Sequence, residues 1–111
     1  MALRIVDEMI TLGVEVHRLC KQIALRDKEL ASQTRRAWTR AIMNAGEAQH
    51  RRGAKGVNRF DDAMGEAREA HTGLRAGRTF EYIGGPRCDE VFDQVDRAVA
   101  TLYKRAHRRP H

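Results

Sequence analysis

Residues 30–52 read LASQTRRAWTRAIMNAGEAQHRR, from Leu30 to Arg52. The stretch holds five alanines, five arginines and a single glutamate. Alanine and arginine are among the strongest helix formers, and no proline interrupts them. Leu30, Thr34, Ala37, Ala41, Asn44 and Ala48 recur at alternating spacings of four and three, and Trp38, Ile42 and Ala45 widen the same stripe. That period predicts an amphipathic helix over Lys28 to Arg52. Its inward side is unusually small and its outward side unusually positive. Small side chains let a second helix approach closely. Exposed arginines ask for an anion or an acidic face.

The flanks of this helix supply its boundaries. Asp27 is placed to cap its N-terminus, and Gly53 to end it. Upstream, Ile5, Met9, Leu12, Val16, Leu19 and Ile23 form an unbroken stripe at the same spacing, predicting a helix over Leu3 to Leu25. Downstream, Gly53-Ala54-Lys55-Gly56 makes a turn. Val57, Phe60, Met64, Ala67, His71 and Leu74 then predict a helix over Val57 to Tyr82. Asp61 and Asp62 in its first turns complement the helix dipole. Ile83-Gly84-Gly85-Pro86 is the clearest break. Cys88, Val91, Val95, Ala98 and Leu102 predict a last helix over Arg87 to Arg108, flanked by Phe92, Val99 and Tyr103.

No period-two strand and no Asn-Gly hairpin turn occurs. Four helices with short loops imply antiparallel neighbours, so the expected fold is all-α, an antiparallel up-down four-helix bundle, as one domain over residues 1–111. Hydrophobic residues make up 41% of the 111 and charged residues 32%, enough to build a core and too apolar for compositional disorder. No run approaches the roughly 20 apolar residues of a membrane span. The stretch Met1 to Val16 lacks a signal peptide's basic start and is broken by Asp7, Glu8 and Glu15. A cytoplasmic location is expected, with no membrane partner. There Cys20 and Cys88, both on apolar stripes, are expected as buried free thiols, the alternative being a disulfide between them.

The net charge is +6. It is also uneven. Between Arg35 and Arg59 seven Lys or Arg face one acid, Glu47, and the tail Lys104 to His111 has four Lys or Arg and no acid. Such blocks point to anionic partners, nucleic acid first. The candidate nucleic-acid-binding residues are Arg35, Arg36, Arg40, Arg51, Arg52 and Lys55, with Lys104, Arg105, Arg108 and Arg109 of the tail. A plainer reading of the same arginines is a solvated face, or salt bridges to Asp61, Asp62, Glu66 and Glu69. Six aromatics fall mostly on the stripes and read as core, so no base-stacking platform is expected. Binding then addresses backbone and shape rather than sequence, and composition leaves RNA and DNA equivalent.

Enzyme chemistry finds little support. No nucleophile elbow, P-loop or dinucleotide fingerprint is present, and no catalytic residue is assigned. Glu47-Ala48-Gln49-His50 is an E-x-x-H, but di-iron bundles combine two such motifs with two further glutamates, and here there is one copy. His17 with Cys20 and Cys88 does not follow a zinc spacing. No metal and no cofactor are therefore expected. Thr34, Asn44 and His71 stand polar on inward stripes, where buried hydrogen bonds that fix register are the expected role. For Asn44 the expected partners are groups near Glu69 or Thr72.

Leu30, Ser32, Gln33, Arg35, Arg36, Ala37, Asn44, Glu47, Arg51 and Arg52, followed by Phe60, Ala63, Gly65, Glu69, Thr72 and Leu74, form an ordered pattern. In it the chain resembles the four-helix bundle proteins of the 23S rRNA-intervening sequence family. Ile42 stands near where that pattern has a proline, and Ala48 where it has a glycine. A related group, the accessory variability determinants of diversity-generating retroelements, shares the fold. Its members form pentameric, positively charged barrels that bind nucleic acid and a reverse transcriptase. The resemblance implies a four-helix bundle assembled as a ring-shaped homopentamer, with nucleic acid and a reverse transcriptase as partners and no established activity. The alternative it leaves open is a protein–protein adaptor or assembly factor.

Overall fold

A computed structural model describes residues 4–51 and 53–107. Four helices account for nearly all of them: α1 (Arg4–Ala24), α2 (Lys28–Gln49), α3 (Ala54–Thr79) and α4 (Pro86–Ala106). The described residues contain no strand. The helices form an elongated four-helix bundle, 47 × 24 × 19 Å. Each helix packs against its neighbours in chain order, and α4 closes onto α1.

Local chemistry sets the ends. Asp27 caps α2 as its sequence position implies, its Oδ1 accepting from the Leu30 N–H at 2.9 Å. Helix α2 stops at Gln49, short of the expected Arg52, with His50 at its C-cap. Helix α3 starts three residues before the expected Val57, because Gly53 takes a φ of 62° and admits a helical turn directly after it. Its C-terminus is also earlier than expected. Glu81 adopts a left-handed φ of 65°, the Tyr82 N–H donates to the Gly77 carbonyl at 2.8 Å, and the Glu81 N–H donates to the Arg78 carbonyl at 3.1 Å. This is a Schellman cap with glutamate in the place that usually holds glycine. It turns the chain so that Ile83 enters the core. Pro86 then opens α4, where its missing N–H costs no helical bond.

The core is divided by size. Helix α1 contributes Ile5, Met9, Val16, Leu19 and Ile23, and α4 contributes Val91, Val95 and Leu102. Helix α2 buries Ala31, Thr34, Ala37, Ala41, Ala45 and Ala48 around one large residue, Trp38. Helix α3 buries Gly56, Ala63, Ala67, Ala70, Gly73 and Gly77 around Met64 and Leu74. The expected inward stripe of α3 is thus corrected: Val57, Phe60 and His71 lie at its margin, half-buried. The small residues face the small residues of α2, and these two helices make the most extensive contact in the bundle.

Thr34 and Gly73 mark the closest approach. A Cβ built on Gly73 would lie 2.0 Å from the Thr34 hydroxyl oxygen and 3.0 Å from its Cβ. Thr34 is itself fully buried, and its hydroxyl donates to the Leu30 carbonyl at 2.8 Å, so it needs no partner across the seam. Gly77 repeats the device against α1, where a Cβ would meet Ile23 Cδ1 at 2.8 Å. Trp38 fixes α2 to α1. Its indole Nε1 donates to the Met9 carbonyl at 3.1 Å, and its ring lies over Gly13.

Asn44 is not the buried register residue expected. It is half-buried at the edge of the α2–α3 seam and accepts from Arg59 Nη1 at 3.2 Å. Antiparallel register explains the change of partner. Thr34 opposite Gly73 places residues near 59–62 opposite Asn44, and carries Glu69 and Thr72 toward the other end of α2.

Gly73→Ala tests the seam. Alanine gains about 1 kcal/mol of helix propensity over glycine. Overpacking at a 2.0 Å contact outweighs this, and the expected net loss is about 2 kcal/mol in denaturant unfolding. In a Thr34→Ala background the loss should largely disappear. Gly65→Ala, with nothing within 4 Å of the new methyl, should stabilise instead. Equal losses at Gly73 with and without Thr34 would refute the close-approach account.

Candidate nucleic-acid interface

Antiparallel alternation puts four helix ends at one pole of the bundle: the start of α1, the end of α2, the start of α3 and the end of α4. Two basic segments some fifty residues apart in sequence therefore share a pole. Arg51 lies in the α2–α3 connection and Lys55 in the first turn of α3, and Lys104 and Arg105 lie in the last turn of α4. The Arg105 guanidinium lies 5.8 Å from the centre of the Phe60 ring, which ties the end of α4 to the beginning of α3. Cations at the end of α4 also answer the negative end of its dipole. Arg4 and Arg59 belong to the same pole. Arg52, Arg108 and Arg109 lie outside the described residues.

At the α2–α3 corner a depression of about 200 Å³ is lined by Arg51, Lys55, Asn58, Arg59 and Asp62. Arg51 bonds Glu47 at 2.7 Å, and this bond holds the Glu47 carboxyl below its ordinary range. Arg59 bonds Asn44 and lies 3.9 Å from Asp62. Lys55 and Lys104 are exposed and form no ion pair among the described residues. The two ion pairs here are solvent-exposed and screened by water and salt, so they leave Arg51 and Arg59 free to turn toward a phosphate.

Arg35, Arg36 and Arg40 do not join this pole. They are exposed in the middle of α2, and Arg36 is about 20 Å along the helix axis from the end of α2 at Gln49, at 1.5 Å per residue. They also diverge around the helix. Arg35 sits near enough to Cys20 of α1 for its charge to act on that thiol. Arg40 faces Glu66 on α3. Glu66 is half-buried, and its Oε1 is sealed from solvent with no partner among the described residues. Burial, and then the neighbouring carboxylate of Glu69, push the Glu66 carboxyl above its ordinary range, with the Arg40 charge opposing. For Arg40, then, the plainer reading of a charge set against the acids of α3 has a structural basis.

Among the described residues no three or more His, Cys, Asp or Glu are grouped to hold a metal ion. Glu47 of the E-x-x-H is engaged by Arg51, and His50 is an exposed C-cap. Cys20 and Cys88 are buried free thiols. Burial pushes Cys20 up to about 11 and raises Cys88 as well. A larger cavity, about 770 Å³, is a groove between α1 and α4 whose walls carry Arg4, Arg87 and Arg97 beside Asp7, Glu8 and Glu15. Its mixed charge gives a polyanion no reason to prefer it.

Two features were not foreseen from the sequence. Tyr103 is 46% exposed and stacks on His107, with ring centres 4.0 Å apart and an interplanar angle of 23°. It stands beside Lys104 at the basic pole. Its place one residue past the inward Leu102 was the signal available. The other feature is apolar. Ile10 (54% exposed) and Val14 (67%) follow one another on α1, beside the seam where Gly13 meets Trp38 and Ile42. On α2, Met43 (69%) follows Ile42, and Gly46 of the same helix has open space around it.

Fold and surface together define a class, a four-helix bundle with one cationic pole and an apolar strip along α1 and α2. No protein-family model, no curated protein and no solved structure matches the chain. Among the described residues no helix is long and apolar enough to cross a membrane.

Glu66→Gln tests the electrostatics beside Arg40. A carboxyl whose folded pKa is raised favours the folded state below its unfolded value of about 4.5, and that contribution is lost as pH rises through the folded value. At neutral pH the ionised Glu66 is therefore a burden that glutamine removes. The melting temperature of Glu66→Gln relative to wild type should rise on going from pH 4 to pH 7. A constant difference across that range would refute the account.

Proposed function

We propose that this chain is a non-enzymatic, self-associating four-helix bundle that binds nucleic acid through its basic pole without sequence preference. The observation that carries the reading is the meeting of Arg51 and Lys55 with Lys104 and Arg105 at one end of the molecule. Two cationic segments remote in sequence act there on one strand of phosphates. Affinity of this kind comes from neutralising phosphate and releasing its counterions, and it carries little sequence information. Arg52, Arg108 and Arg109 extend the same two segments in sequence.

Self-association is supported by the apolar strip. Ile10, Val14 and Met43 lie in the open on a chain that otherwise buries most of its large aliphatic residues, and contiguous apolar surface marks interaction sites. The pentameric count, and membership of the 23S rRNA-intervening sequence family, rest on the sequence resemblance. A ring repeats each basic pole around its axis and multiplies the field a nucleic acid meets. The same strip favours a second reading, an adaptor whose partner is another protein. A reverse transcriptase is the partner the retroelement resemblance suggests.

Mass photometry at micromolar concentration should show a discrete species at five times the 12.7 kDa of the chain. A monomer would remove the ring. For the pole, fluorescence anisotropy with labelled RNA and DNA across a salt series is the test. Replacing Arg51, Lys55 and Lys104 together by glutamine should weaken binding of both nucleic acids alike. On duplex DNA it should lower the log–log salt slope by about 0.9 for each phosphate that is no longer neutralised. Exposed positions tolerate the change, so the oligomer should persist. Absence of wild-type binding at low salt would set aside nucleic acid and leave the adaptor.

A further inference from the structure

We infer that the basic pole takes single-stranded nucleic acid, with an unpaired base stacking on the exposed Tyr103–His107 pair. This rests on the nucleic-acid reading above and adds to it the form of the strand. Phosphate contacts alone draw single strands and duplexes alike. A flat aromatic surface distinguishes them, because the bases of a duplex already stack on one another and offer no free face.

The pair is built for such a surface. His107 is the C-cap of α4, and its Nδ1 lies 2.9 Å from the Tyr103 carbonyl oxygen, one helical turn back. That contact orients the imidazole over the phenol, 4.0 Å away and within 23° of parallel. The resulting stack is nearly coplanar, whereas two other aromatic contacts of the bundle are edge-to-face: His71 with Phe92 at 61° and Phe80 with Tyr82 at 60°. Both of its members are exposed. A base that joins the stack lies beside Lys104, which has no ion pair among the described residues and is free to meet the adjoining phosphate. Arg105, held over Phe60, stands one residue further along the same turn.

The opposite pole shows why exposure alone is not enough. Phe80 is 57% exposed there, more than Tyr103. Its surroundings differ. Arg78 is bonded to Asp89 at 2.9 and 3.3 Å, and Arg87 to Glu15 at 3.0 Å and Glu90 at 2.8 Å. Arg26 is drawn over the Tyr82 ring. These cations are engaged, and Phe80 meets its aromatic neighbour edge-on. Among the described residues, the Tyr103 pole is the one that combines a parallel aromatic stack with unengaged lysine.

The experiment compares a short labelled single strand with the duplex of the same sequence, by anisotropy at fixed low salt. Wild type should bind the single strand more tightly. Tyr103→Leu should weaken single-strand binding by about 5-fold to more than 100-fold, the range that loss of one base–aromatic stack produces. It should leave duplex binding and the oligomer unchanged. Tyr103→Phe keeps the ring and should bind as wild type does. Phe80→Leu, at the other pole, should also bind as wild type does. Equal affinity for strand and duplex, or a Tyr103→Leu variant that holds the single strand as wild type does, overturns the stacking site and leaves the basic pole standing. Failure of wild type to bind either form overturns both.

Discussion

The close approach of α2 to α3 is the constraint on which the bundle depends. At Gly73 there is no room for a single methyl group, because the Thr34 side chain occupies that space. Dispersion contacts fall away within an ångström of optimal separation, so an alanine-lined seam is worth something only if the backbones come together. Alanine on α2 and alanine or glycine on α3 permit that approach along most of their length. Large residues are then needed only where α1 and α4 close the other side, and Trp38, Met9, Leu74 and Leu102 fill that space.

A tight α2–α3 hairpin has consequences for charge. It leaves Arg35, Arg36 and Arg40 exposed in the middle of α2, diverging around the helix toward α1, solvent and α3. It also fixes the corner at which Arg51, Lys55 and Arg59 line one depression. Helix α4 returns antiparallel to α3 and delivers its own basic end to the same pole. Side-chain charge comes from composition, but its concentration comes from the alternation of helix direction. At the opposite pole, Arg78 and Arg87 are engaged by Asp89, Glu90 and Glu15.

The inward faces of α1 and α4 were legible because their stripes are made of large residues. Ile5, Met9, Val16, Leu19 and Ile23, and Cys88, Val91, Val95, Ala98 and Leu102, are buried where their spacing placed them, with Leu12 partly buried against the same core. The face of α3 was legible only in part: Met64, Ala67 and Leu74 are buried as their spacing placed them. A stripe drawn through Val57, Phe60 and His71 follows its bulkiest residues, whereas the buried line runs through Gly56, Ala63, Ala70, Gly73 and Gly77. Hydrophobic bulk points inward only when the opposing surface leaves space for it, and α2 leaves none. Asn44 failed for a related reason. Its stripe was correct to within the edge of the seam, but its partner depended on interhelical register, which a single helix does not encode.

By itself the sequence determined the all-helical class, the number of helices, the Asp27 cap and the excess of positive charge. These follow from propensity, period and turn chemistry, which act within one or two helical turns. Tertiary structure decided which small residues touch, which polar residues pair, and which cations stand together. It drew Arg51 and Lys55 to the pole that holds Lys104 and Arg105, and separated them from Arg35, Arg36 and Arg40. It also left Tyr103 stacked on His107 in the open beside Lys104. Such pairings depend on the packing distance and register between helices, and those are set by the volume of side chains that meet only in the folded bundle.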